Sequence, residues 1–196
     1  MTLFKNLSTA ERVRQGKQFE RNILEEIKVL GNVESSSFQE DTKSKLDGFI
    51  TFANPKFEHL QGKLAVQVKQ RVQTGDDILF EVKKDFDKDI IGRDIKGDSQ
   101  IYVVANRKGQ IGVFETAKLK QKISELLEKE PQKLQDFKDN NITGVKKTRN
   151  GLSKGLVAEV EGAQLWITEG NPMFREGERK LIAFINFEAA NPIAVL

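Results

Sequence analysis

Cysteine is absent from this 196-residue chain. That excludes disulfides, zinc–thiolate centres and cysteine nucleophiles together, and it fits a reducing cytoplasm, where the protein is expected to work. Apolar runs are short, and none approaches the roughly 18 residues that a membrane-spanning helix requires. Met1 opens a polar, charge-mixed segment with no signal-peptide core. The expectation is a globular protein of the cytoplasm with no membrane contact. Histidine occurs once, at position 59 in a polar loop. A histidine-dependent triad would have to centre on that loop, so His59 is read as non-catalytic. Internal repeats and low-complexity tracts are also lacking, which excludes solenoids and biased linkers.

What is present is a foldable mixture of 38% hydrophobic and 31% charged residues, enough for a packed core in one domain or one domain plus an appendage. The net charge of +3 hides 32 basic against 29 acidic side chains, and the pI is near 9.0. Such a balance permits nucleic-acid binding without requiring it. Distribution therefore matters more than the total.

Residues 8–30 carry a helical pattern, capped by Ser8 or Thr9, with Glu11 in the first turn and Gly31 closing it. Phe19, Ile23, Ile27 and Leu30 define its buried face, with Glu20 at the edge of that face and Glu25 and Glu26 one turn on. A polar stretch, 34–45, follows. The period then changes to two. Residues 46–52, 63–71 and 78–83 read as strands, and 86–95 as a charged helix. The run Ile101-Tyr102-Val103-Val104-Ala105 is apolar throughout, as a strand buried on both faces should be, and a further strand covers 110–114. Helical patterns return at 117–130 and 132–138, with Pro131 as a break. Strands at 156–161, 164–168 and 181–187, with Gly162 at a hairpin turn, make the last third β-rich. The expected fold is an α/β sandwich: a mixed sheet of about five strands flanked by helices over residues 1–130, with a β-rich C-terminal extension over 131–196.

One constellation carries chemistry. Alternation along 63–71 puts Gln67 and Lys69 on one face. Asp47 opens the preceding strand. Two oxygen donors on neighbouring strands can converge on a hard divalent cation that keeps several of its waters. A lysine two residues beyond the second donor can hold a water or a phosphate oxygen there. Phosphodiester hydrolysis needs these parts. Glu81-Val82-Lys83 offers a second acid-x-Lys frame, but Asp76 and Asp77 lie too close to it to supply a paired strand.

The segments Leu46-Asp47-Gly48-Phe49-Ile50 and Leu64-Ala65-Val66-Gln67-Val68-Lys69 resemble the PD-(D/E)xK nuclease superfamily. They look closest to the Mrr-like restriction endonuclease branch, in which glutamine replaces the last acidic residue. Gly16-Lys17-Gln18-Phe19-Glu20 is similar to that branch's first-helix motif, and Ile101-Tyr102-Val103-Val104 with Gly109-Gln110-Ile111 to its last core strands. The resemblance covers roughly residues 10–125. It implies a restriction-endonuclease-like fold and a Mg²⁺-dependent endonuclease, with Mn²⁺ as a substitute, cutting DNA in restriction, defence or mobile-element biology. It also implies that Asp47, Gln67 and the Val68 carbonyl bind the metal, that Lys69 is catalytic, and that Glu20 assists. The chain departs from the pattern in having Leu46 where proline is usual, and Gln67 brings no negative charge. Cutting a duplex needs two sites, so a homodimer or higher homo-oligomer is expected, with the C-terminal strands as a candidate interface.

Lys146, Lys147, Arg149 and Lys154 form a basic, turn-rich stretch that reads equally as a phosphate-binding segment or a linker. Trp166 can stack on a base, mark an interface, or belong to the core of a small β-layer.

Overall fold

A computed structural model describes residues 8–37, 40, 46–70, 77–106, 108–139, 146–147, 153–169 and 178–196. The first helix, α1 (Thr9–Glu26), starts with a capping box. Ser8 Oγ accepts the Glu11 N–H, and the Glu11 carboxylate accepts the Ser8 N–H at 2.7 Å. Its end tightens into a 3₁₀ turn, Ile27–Leu30. Ile23, Leu24 and Ile27 are buried along the face that the spacing predicts.

Immediately afterwards comes a strand that the polar composition concealed, β1 (Gly31–Ser35). It pairs antiparallel with β2 (Gly48–Phe52), which pairs antiparallel with β3 (Leu64–Gln70). A Cβ on Gly31 would lie 2.1 Å from the Thr51 carbonyl oxygen, so the close approach of β1 to β2 needs a glycine there.

The strand that follows β3 in sequence leaves this sheet. β4 (Asp77–Asp85) and the two-residue β5 (Ile90–Ile91) belong to a second, antiparallel sheet. Between them the expected helix is replaced by a turn. The Asp85 carboxylate accepts the Lys88 N–H at 3.1 Å, and Asp89 takes a left-handed φ of 58°. A left-handed residue ends any helix, so the helical part of this segment shrinks to one turn, α2 (Arg93–Lys96). The chain then returns to the first sheet as β6 (Ile101–Ala105), parallel to β3, and continues as β7 (Ile111–Glu115). Thus the three strands before the buried strand are β1, β2 and β3, whereas the sequence pattern counts β4 among them.

Two helices, α3 (Thr116–Lys129) and α4 (Pro131–Lys138), lead to β8 (Lys146–Lys147), β9 (Ser153–Val160), β10 (Ala163–Glu169) and β11 (Arg179–Asn186). Gly162, at φ 68°, makes the β9–β10 turn. A final short strand, β12 (Ala194–Val195), pairs with β7. The first sheet has the order β1-β2-β3-β6-β7-β12, and the second β5-β4-β11-β10-β9-β8.

The centre of the mixed sheet, β3, β6 and β7, is buried on both faces, as the apolar run of β6 demands. Ile101, Val103 and Ala105 face α1 with Val66 and Val68. Tyr102 and Val104 face the second sheet, where Phe80, Leu165, Leu181 and Ile185 meet Leu119 and Leu126 of α3. The 131–196 segment is β-rich as expected. Its strands share a sheet with β4 and a core with β6.

Candidate metal and catalytic site

Register decides which side chains meet. Gln67 is opposite Tyr102 and Lys69 is opposite Val104, so Gln67 and Lys69 point toward the second sheet, while Val66 and Val68 point toward α1. The shared face inferred from alternation is present. Gln67 is buried, with its Oε1 3.8 Å from where a Cβ on Gly97 would stand.

Along the β3 backbone the peptide groups alternate between two edges. Ala65 exchanges bonds with Gln100 on the β6 side, at 2.6 and 2.9 Å. Val66 accepts the Asp47 N–H on the β2 side at 2.9 Å. The N–H and C=O of one strand residue point to the same edge. Val68 therefore presents both groups on the β2 side, one step beyond the last ladder pair, Gly48 with Val66. Asp47 occupies that step. Its Oδ2 accepts the Val68 N–H at 2.7 Å, which places the carboxylate beside the Val68 carbonyl, at the point where β2 and β3 part.

Burial pushes the Asp47 carboxyl up to about 6. The Val68 N–H opposes this rise, the charge of Glu20 adds to it, and Lys17 and Lys69 oppose it. Each of the four is thus within electrostatic reach of Asp47. Glu20 comes from α1, on the layer opposite Lys69, and pairs with Lys17 at 2.9 Å.

Lys69 has a partner that the sequence did not announce. Its Nζ lies 3.1 Å from Oδ1 of Asp94, a residue only 4% exposed on α2. The other Asp94 oxygen accepts the Glu81 N–H at 2.8 Å. The phenol of Tyr102, fully buried nearby, is held well above its ordinary pKa by burial, by the charge of Asp94 and a hydrogen bond to that carboxylate, and by the charge of Asp47. A cleft of about 170 Å³ opens here, lined by Lys69, Leu79, Glu81, Arg93 and Asp94 among others. No motif or spacing marks Asp94; it stands in a segment whose pattern suggests an ordinary solvated helix.

The second frame has a different fate. Glu81 pairs with Lys180 at 3.1 Å and Arg93 at 3.8 Å, and Lys83 pairs with Asp89. These ion pairs hold its carboxylate below the usual range despite burial. Glu25 pairs with Lys28 on the surface, and His59 lies 3.4 Å from Glu115. Trp166 is largely covered but lies outside the core formed by its neighbours Leu165 and Ile167; its Nε1 donates to Gln164 at 3.1 Å, and Lys154 Nζ lies 4.3 Å from the ring centroid. Lys146 is the cross-strand partner of Lys154. Arg149 lies outside the described residues.

Among the described residues no group of three or more His, Asp or Glu side chains is assembled for a metal. The donors at the β2–β3 fork are a carboxylate, a backbone carbonyl and, on the adjoining face, an amide oxygen. All are hard oxygens, which suits a magnesium-like ion that keeps most of its waters. A carboxyl raised to about 6 by burial also gains from a cation that stabilises its ionised form. The donor types suit such an ion; Asp47 and the Val68 peptide stand together at the fork, while the Gln67 oxygen lies on the other face, near Gly97.

The structure is mixed α/β, with a helix-flanked mixed sheet and an additional antiparallel sheet. Among the described residues no helix is long and apolar enough to cross a membrane. Compared with family models, curated proteins and solved structures, the chain matches none of them.

Proposed function

We propose that this protein is a Mg²⁺-dependent endonuclease that hydrolyses DNA phosphodiester bonds. The observation that carries the reading is the fork between β2 and β3. There the Asp47 carboxylate closes onto the Val68 peptide at 2.7 Å, and Lys69 follows one residue later on the face of Gln67. The first sheet, with α1 followed by antiparallel β1-β2-β3 and a crossover to the parallel, buried β6, is compatible with it. Asp47, Gln67 and the Val68 carbonyl hold the cation. The bound ion supplies Lewis-acid stabilisation of the negative charge that develops on the phosphate. Lys69 donates to a phosphate oxygen or orients the attacking water, and Glu20 contributes negative charge at the rim. Restriction, defence or mobile-element biology suits such an activity, and a homodimer supplies the second site that a duplex requires.

One feature favours a second reading, a catalytically silent nucleic-acid-binding or interaction module. Residue 67 is an amide, and no third acidic group joins Asp47 among the described residues. Plasmid DNA incubated with Mg²⁺ or Mn²⁺ separates the two. Nicking by the wild type that is lost in Asp47→Ala and in Lys69→Ala supports the nuclease. Binding without cleavage under either metal supports the silent module.

A further inference from the structure

Lys69 projects from a strand whose ladder to β2 has just ended, so nothing in β2 fixes its four-carbon stem. Its side chain is one-third exposed, and a free lysine there would sample many rotamers. The partner that it meets is unusually well fixed. Asp94 is buried, and its Oδ2 is anchored by the backbone N–H of Glu81 at 2.8 Å. Its Oδ1 finds no aligned hydrogen-bond donor among the described residues and faces the Lys69 ammonium at 3.1 Å.

The helix carrying Asp94 is pinned in turn. Gly92 donates its N–H to Val82 at 2.8 Å, and a Cβ at Gly92 would lie 2.0 Å from the Glu81 carbonyl oxygen. Arg93 and Lys180 hold the Glu81 side chain. Asp94 is thus fixed to β4 through the Glu81 N–H, with its other oxygen turned to the Lys69 ammonium.

We propose that Asp94 is the positioning residue for Lys69, and that the β4–β5–α2 crossover delivers it to the site. Asp94 acts by aiming the lysine, and the proposal rests on the nuclease reading given above. Asp94→Asn keeps an oxygen for the Glu81 N–H while removing the charge that holds Lys69. Misplacing a catalytic group by about 1 Å costs on the order of 10²-fold in rate.

The test measures kcat and KM for metal-dependent plasmid cleavage in the wild type, Asp94→Asn, Asp94→Glu, Lys69→Ala and the Asp94→Asn/Lys69→Ala double variant. The expected result is a kcat lowered about 10²-fold in Asp94→Asn, with KM within about twofold. Asp94→Glu should recover part of the loss, and the double variant should be no slower than Lys69→Ala alone. Unchanged kcat in Asp94→Asn, or an added loss on the Lys69→Ala background, overturns the proposal. If the wild type cleaves nothing with Mg²⁺ or Mn²⁺, the nuclease reading fails separately, and ¹⁵N NMR of the Lys69 ammonium then decides the positioning. An ordered, slowly exchanging signal in the wild type that disappears in Asp94→Asn supports it, and identical signals in both overturn it.

Discussion

Asp47 holds its proton more tightly in the folded chain than in the unfolded one, because burial raises its carboxyl from the ordinary 3.8 to about 6. The native state therefore binds more protons between those values, and stability falls as pH rises through that window. The contribution is fully present below about pH 4, is lost by the time pH passes 6, and amounts to at most roughly 3 kcal/mol. Asp47→Asn, whose amide oxygen can still accept the Val68 N–H, should remove this slope. Thermal melts from pH 4 to pH 8 should show a declining Tm for the wild type and a flatter profile for the variant. At pH 7.5, millimolar Mg²⁺ should raise the wild-type Tm and leave that of Asp47→Asn unmoved, since a ligand stabilises only the state that binds it. Equal metal responses in the two proteins would show that Asp47 is not a ligand.

At the scale of elements, the crossover between β3 and β6 is the part whose geometry is least forgiving. Gly92→Ala would drive a methyl group into the Glu81 carbonyl and push α2 off β4. We expect a destabilisation on the order of 2 kcal/mol in urea unfolding, together with a turnover loss resembling that of Asp94→Asn. The contrast between legible and hidden elements has a physical basis. Alternation in 64–70 and the apolar run of 101–105 reflect burial of whole faces, so β3 and β6 could be read directly. β1 is an edge strand with Val33 as its one inward-leaning hydrophobe, and its polar composition looks like a loop. The departure of β4 to a second sheet, and the Asp94–Lys69 pair that depends on it, arise from pairing between residues far apart in the chain. No local pattern records such pairing. The face shared by Gln67 and Lys69 was readable for the same reason that Asp94 was not.

For the molecule as a whole, the two sheets share one core, so residues 131–196 are not dispensable. A chain ending at residue 130 would expose Phe80, Tyr102, Phe114 and Leu119, all fully buried here. It should lose cooperative unfolding by circular dichroism. A soluble, cooperatively folding fragment would mean that the first sheet stands alone. Charge at the far edge of the second sheet is a separate matter. If Lys146, Lys147 and Lys154 bind phosphates, replacing all three with alanine should weaken DNA binding at low salt. It should also make the salt dependence shallower by about 0.9 for each phosphate that is no longer neutralised. An unchanged slope would assign these lysines to the fold alone.

The partner of β4 is β11, with Glu81 opposite Ile182 and Lys83 opposite Leu181. During synthesis, β3 and its Gln67-Val68-Lys69 segment emerge long before β11 exists. Until residues 179–186 have been made, β4 is an unpaired edge with nothing from that side to fix Glu81 or the carboxylate behind it. Such long-range closure is slow and comes late in folding. A growing chain on the ribosome, already displaying Asp47 and Lys69 near nucleic acid, would carry them unassembled, and the aiming of the lysine would be among the last things the polypeptide acquires.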